Sequence, residues 1–126
     1  MAKAKILVID DEPMVIKSVE TVLKAGQYKI ISAPDGETGI KKAKTNKPDL
    51  ILLDIKMPGM DGYAVLKKLK EDKATQAIPV AMFTVKREIE DVVESIVRCG
   101  AVEYISKPFD SEELLEKIKK ILGENV

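Results

Sequence analysis

The sequence predicts a doubly wound α/β domain: a five-stranded parallel sheet with helices packed on both faces. Two observations carry this. Residues 6–9 (Ile-Leu-Val-Ile), 50–53 (Leu-Ile-Leu-Leu) and 80–83 (Val-Ala-Met-Phe) are short, wholly apolar runs, the pattern of strands buried on both faces. Strand-like and helix-like stretches also alternate five times at regular spacing, without linker, repeat or low-complexity segment. Such alternation implies parallel strands joined by right-handed crossovers, for which 2-1-3-4-5 is the simplest five-stranded order.

The first strand, 6–9, ends at Asp10-Asp11-Glu12. Pro13 suits the first turn of a helix whose apolar stripe is Val15, Ile16, Val19, Val22 and Leu23, and Gly26 closes it. Strand character runs over 28–33. Pro34-Asp35-Gly36 then turns the chain, with Asp35 as cap for a weakly amphipathic helix over 37–45 that stops before Asn46-Lys47-Pro48. The third strand, 50–53, stops at Asp54, and Pro58-Gly59 and Asp61-Gly62 forbid regular structure beyond it. Asp61 caps a helix over 62–72 that turns Val65, Leu66 and Leu69 inward. A loop covers 73–78, and Pro79 opens a strand over 80–83 that ends at Thr84. A helix over 87–99 carries Ile89, Val92, Val93 and Ile96 and ends at Gly100. A short strand over 102–105 leads into Ser106-Lys107-Pro108-Phe109. Asp110 and Glu113 then give a capping-box-like start to the last helix, with Leu114, Leu115, Ile118, Ile121 and Leu122 facing the core.

One domain is expected across 1–126, with enough residues for a hydrophobic core. Apolar residues at 45% and charged residues at 33% exclude a disordered chain. Lys+Arg and Asp+Glu balance at 21 each, so no global basic field exists to hold nucleic acid or an anionic membrane. No signal peptide or membrane span is evident, and the single cysteine, Cys99, reads as a small buried hydrophobe in a reducing compartment; a cytoplasmic location is expected. Histidine is absent, which removes imidazole bases, catalytic triads and His-ligated metals. Chemistry must therefore rest on carboxylates, lysine, hydroxyls and a hard metal ion.

In the order 2-1-3-4-5, strands one, three, four and five are neighbours, and their carboxyl ends carry Asp10, Asp11 and Glu12, then Asp54, Thr84 and Lys107. The edge strand ends in Ser32-Ala33-Pro34, with nothing reactive. Singly, Asp10-Asp11 could cap a helix, Asp54 a turn, and Lys107 could be a solvated surface residue. Jointly they crowd carboxylates whose repulsion a divalent cation with oxygen ligands relieves, and Mg²⁺ suits such a site. With Lys and Thr nearby, the set matches what phosphoryl transfer to a carboxylate nucleophile requires.

The stretches Leu7-Val8-Ile9-Asp10-Asp11-Glu12-Pro13, Pro48-Asp49-Leu50-Ile51-Leu52-Leu53-Asp54 and Met57-Pro58-Gly59-Met60-Asp61-Gly62, with Thr84 and Tyr104-Ile105-Ser106-Lys107-Pro108-Phe109, together resemble a response-regulator receiver domain over essentially the whole chain. The resemblance implies a flavodoxin-like (βα)₅ three-layer sandwich acting in two-component signalling. Asp54 would be the phospho-acceptor, loaded from a phosphohistidine on a sensor histidine kinase or histidine phosphotransfer protein. Asp10, Asp11, Asp54 and the backbone carbonyl of Lys56 would hold Mg²⁺, with Mn²⁺ able to substitute. Thr84 and Lys107 would contact the phosphoryl oxygens, and Lys107-Pro108 is expected to be cis. Thr84 and Tyr104 would form a switch that remodels the surface of the fourth helix, fifth strand and fifth helix for a downstream protein target or output domain; the other reading of Tyr104 is a plain core aromatic. Met14 and the turn at Met57-Pro58 would meet the kinase. Such a domain catalyses only its own phosphorylation and slow autodephosphorylation, and is not otherwise an enzyme. No direct nucleic-acid or membrane contact is implied, and no output domain is expected within this chain. A stand-alone receiver and the N-terminal part of a longer regulator both fit.

One departure from the family pattern is Val85, where a small residue, commonly Ala, is usual. Its branched side chain is expected to slow attack by water on the acyl phosphate and loading from bulky donors; Lys56 and Lys86 could also tune hydrolysis. Three rivals stand beside this reading. A haloacid-dehalogenase-type phosphatase would need its nucleophile after strand one in an Asp-x-Asp pattern. A phosphorylation-independent receiver-like interaction module would usually lose an acidic residue or the lysine. A flavin binder lacks a phosphate-binding loop after strand one here.

Overall fold

The computed structural model describes residues 4–85 and 100–123. The helix expected over 87–99, Cys99, Lys86 and the side chain of Val85 lie outside the described residues. The elements are β1 (Lys5–Ile9), α1 (Pro13–Ala25), β2 (Lys29–Ala33), α2 (Gly36–Asn46), β3 (Leu50–Asp54), α3 (Gly62–Glu71), β4 (Val80–Val85), β5 (Glu103–Lys107) and α4 (Ser111–Leu122). All strands pair in parallel, in the order β2-β1-β3-β4-β5. This is the doubly wound flavodoxin-like sheet that the alternation predicts.

Successive residues of a strand point to opposite faces, and the apolar runs therefore feed two cores. Leu7, Ile9, Ile51, Leu53 and Met82 pack with Ala43 of α2 and with Val65, Leu66 and Leu69 of α3. Ile6, Val8, Leu50, Leu52, Ala81 and Phe83 pack with Val19 and Leu23 of α1 and with Leu114 and Ile118 of α4. Burying a large aliphatic side chain contributes roughly 1.5–3 kcal/mol, so runs apolar on both faces fix the sheet between two helical layers. Among the described residues no helix is long and apolar enough to cross a membrane.

Several boundaries differ from expectation. β4 runs on through Thr84 and Val85, and β5 spans 103–107 rather than 102–105. The ladder continues because Thr84 pairs with Ser106 and Val85 with Lys107, although polar residues hide it in the sequence. Lys107 is therefore the last residue of a strand, held more rigidly than a loop lysine. Gly26 ends α1 with an ordinary φ of −82°, and the left-handed residue is Gln27 at φ 66°. Glycine at 26 leaves room for its neighbours, since a Cβ there would lie 2.8 Å from Leu115 Cδ2, which would have to shift. α3 stops at Glu71, where buried Thr75 donates its hydroxyl to the Leu69 carbonyl at 2.6 Å. Asp35 and Asp61 cap α2 and α3, accepting from the N–H groups of Thr38 and Ala64. Asp110 caps the last helix by accepting from the N–H of Glu112 at 2.9 Å, and Glu113 reaches Lys117 at 3.5 Å. Lys107-Pro108 is cis.

The two outer strands share a detail. Lys42 of α2 donates to the carbonyl of Ser32 on β2 at 2.6 Å, and Lys117 of α4 donates to the carbonyl of Tyr104 on β5 at 2.7 Å.

Candidate functional site

Pairing of Ile9 with Leu53 and of Asp54 with Phe83 brings the carboxyl ends of β1, β3 and β4 level. Asp10 follows β1 directly. Its N–H donates to Ala33 O at 3.1 Å, and its side chain is fully buried. Oδ1 of Asp10 accepts from the N–H of Glu12 at 2.9 Å, and Oδ2 accepts from Lys107 Nζ at 2.9 Å. Asp54, only 5% exposed, ends β3 with Oδ1 3.2 Å from the same ammonium. Lys107 thus bridges two buried carboxylates, with Nζ also 5.6 Å from the Phe83 ring centroid, within cation–π range.

The loop after Asp54 folds back tightly. Ile55 N–H reaches Phe83 O at 3.3 Å and Gly62 N–H reaches Ile55 O at 2.8 Å. Gly62 lies so close beneath Asp54 that a Cβ there would collide with the Asp54 carbonyl oxygen and sit 2.7 Å from Ile55 Cα. A cavity of about 150 Å³ opens here, lined by Glu12, Asp54, Ile55, Lys56, Phe83, Thr84 and Lys107. A larger groove between α2 and α3, with Ile40 and Met60 on its floor, contains none of the converging carboxylates, so the chemistry is not there.

Burial pushes the Asp54 carboxyl up to about 6; Lys107 opposes the rise, and Asp10 and Asp11 add to it. Burial pulls the Lys107 ammonium down, but the Asp10 hydrogen bond and the attraction of Asp54 outweigh it, so its pKa is raised. Among the described residues, carboxylate oxygens of Asp10, Asp11, Glu12 and Asp54 lie within 4.8 Å of one another. Among the described residues the Lys107 ammonium is ion-paired to two of these carboxylates, Asp10 and Asp54, while Asp11 and Glu12 are open to solvent. That excess of negative charge on oxygen donors fits a hard divalent cation.

The fold brings together Asp10, Asp11, Asp54 and Lys107, with Lys56 and Thr84 on the cavity wall. Glu12 joins the acidic group although the expected metal set omits it. Phe83, under the Lys107 ammonium, is also unanticipated; its place beside Thr84 at the end of a buried strand was the available signal. Tyr104 is not part of the cavity lining. It packs half-buried at the sheet edge under Lys117.

The family model of the response regulator receiver domain matches residues 6–119. The alkaline phosphatase synthesis transcriptional regulatory protein PhoP of Bacillus subtilis is 42% identical over 118 residues, covering 94% of this chain and 48% of PhoP. The chain thus spans about half the length of that relative. Protein PilH of Pseudomonas aeruginosa is 37% identical over 120 residues, covering 95% of this chain and 98% of PilH. The crystal structure of a putative response regulator from Chloroflexus aurantiacus superposes with a TM-score of 0.91 at 30% identity, covering 98% of this chain and all of that one. A whole-chain sheet order, an acidic mouth and a family match over 6–119 agree: this chain belongs to the response regulator receiver domain family.

Proposed function

We propose that the domain accepts a phosphoryl group on Asp54 and uses it to switch a protein-binding surface. The observation that carries this reading is the Asp54 carboxylate, buried at the end of β3, ion-paired to Lys107 and beside Asp10 at the wall of a 150 Å³ cavity. In the transfer, an Asp54 Oδ attacks phosphorus as the bond to the donor, a phosphohistidine nitrogen or an acyl oxygen, breaks. Lys107 holds a positive charge where phosphoryl oxygens gather negative charge, and the Thr84 hydroxyl orients on them. Asp10, Asp11 and Asp54, with the Lys56 carbonyl, would hold Mg²⁺, with Mn²⁺ able to replace it; the ion supplies charge neutralisation in the transfer. These 126 residues contain no histidine, so the phosphoryl group comes from a histidine outside them, on a sensor histidine kinase or a histidine phosphotransfer protein, or from a small acyl phosphate. The domain turns over no substrate beyond its own aspartyl phosphate, and acts in the cytoplasm on a downstream protein or output domain. Thr84 and Tyr104 carry the switch.

The dehalogenase-type phosphatase is disfavoured. It would place its nucleophile after β1 in an Asp-x-Asp pattern, where this chain has Asp10-Asp11-Glu12. The test is intact mass after incubation with acetyl phosphate, with and without Mg²⁺, beside Asp54→Asn. A metal-dependent gain of one phosphoryl group in wild type alone is expected. No gain, without Mg²⁺ binding, would replace this reading with a phosphorylation-independent interaction module.

A further inference from the structure

Tyr104 is gripped at three points by two side chains. Its N–H donates to Oε1 of Glu103 at 3.0 Å, and its carbonyl accepts from Lys117 Nζ at 2.7 Å. The same ammonium stands over the Tyr104 ring, 4.4 Å from the centroid. Lys117 is in turn drawn by Glu113 at 3.5 Å and Glu103 at 3.9 Å, and its side chain is only 19% exposed. A surface lysine normally keeps its ammonium in water. Here a half-desolvated cation, pinned by two carboxylates and one carbonyl, faces the ring of a single residue, where a cation–π contact is stronger than at an exposed site.

The geometry points to Lys117 as a positioning residue for the switch: with Glu103 and Glu113 it latches Tyr104 half-buried at the sheet edge, away from the cavity wall where Thr84 stands. This rests on the phospho-switch reading above and adds what sets its bias. A contact made in one placement of Tyr104 and lost in the other shifts the balance between them. Removing the ammonium while keeping the aliphatic stem (Lys117→Met) shifts that balance about threefold to tenfold, the range such a contact supplies. Lys117→Arg keeps the cation over the ring and restores it.

The experiment uses the full chain labelled with 3-fluorotyrosine. Its three tyrosines give three ¹⁹F signals, and Tyr104→Phe identifies the one from Tyr104. Acetyl phosphate with Mg²⁺ is the phosphoryl source, and intact mass reads the loading. In Lys117→Met without phosphoryl donor, the Tyr104 signal is expected to move toward its position in phosphorylated wild type. Loading at limiting acetyl phosphate is expected to rise about threefold to tenfold, and Lys117→Arg to behave as wild type. Glu113→Gln, which leaves the lysine in place but loosens it, gives a smaller shift in the same direction and decides the matter if Lys117→Met does not fold. A wild type that loads, with variants whose Tyr104 signal and loading are unchanged, overturns the latch and leaves Asp54 as acceptor. A wild type that gains no phosphoryl group overturns the acceptor reading, and the latch falls with it.

Discussion

Asp54→Asn should stabilise the metal-free protein at neutral pH, and the gain should vanish on acidification. The folded carboxyl titrates near 6 against an ordinary value of 3.8, chiefly because it is buried. The folded state therefore holds a proton that the unfolded chain has released between these values, and stability falls as pH rises through that window. At about 1.4 kcal/mol per pH decade, the ionised group costs at most about 3 kcal/mol above pH 6. Local relaxation and entering water lower this to between about 1 and 3 kcal/mol. Asparagine, a neutral isostere, avoids the cost throughout. Urea unfolding followed by circular dichroism in chelator, at pH 7.5 and near pH 4, reads the difference. With a slope of about 1.5 kcal/mol per molar, the variant midpoint should lie about 0.7–2 M higher at pH 7.5 and close to wild type near pH 4. Because the comparison is between two proteins at one pH, carboxylates remote from Asp54 cancel, and only its neighbours Asp10 and Asp11 respond to the lost charge. Equal midpoints at pH 7.5, or a gap that persists at pH 4, would refute the argument from burial and repulsion.

Other perturbations test neighbouring parts of the structure. Gly62→Ala places a methyl group against the Asp54 carbonyl and Ile55 Cα; backbone cannot rotate away, so a loss of about 1–3 kcal/mol is expected in urea unfolding, with reduced phosphoryl loading by intact mass. Thr75→Val strips the 2.6 Å bond from the buried Leu69 carbonyl, costing about 1–2 kcal/mol, and Thr75→Ser should recover most of it by the same measurement. Mg²⁺ at tenfold over its dissociation constant should stabilise wild type by about 1.4 kcal/mol in thermal unfolding. Asp10→Asn should lose most of that gain, since it removes one of the clustered carboxylates.

The sheet was legible because its central strands are apolar on both faces; residues 6–9, 50–53 and 80–83 have nowhere to go but between two helical layers. Strand order put Asp10, Asp54 and Lys107 at the same end of the sheet, but β3 and β4 lie between β1 and β5, and only the length of the lysine side chain lets Lys107 reach Asp54 and Asp10. What stayed hidden depended on contacts across the chain. Ser106 and Lys107 look like loop residues until β4 offers them ladder partners, and Gly26 looks like a left-handed cap until Leu115 is seen against it. The grip of Lys117 on Tyr104 spans 13 residues, and no local pattern announces which helical lysine will face the sheet.

Lys42 and Lys117 bear on the open edges of the sheet, β2 and β5. Both strands are outermost, and an outermost strand offers unpaired backbone groups to any passing chain. Ala33 O turns inward to Asp10 N–H, so Ser32 O, one residue back, faces outward, and Lys42 takes it. On the far side Glu103 and Lys117 take both outward groups of Tyr104. Each guard comes from its own strand or from the helix that follows it, 10 and 13 residues on. These particular edge groups are therefore covered by residues of the same strand–helix unit, ahead of the finished sheet, when a nascent chain is most exposed to aggregation.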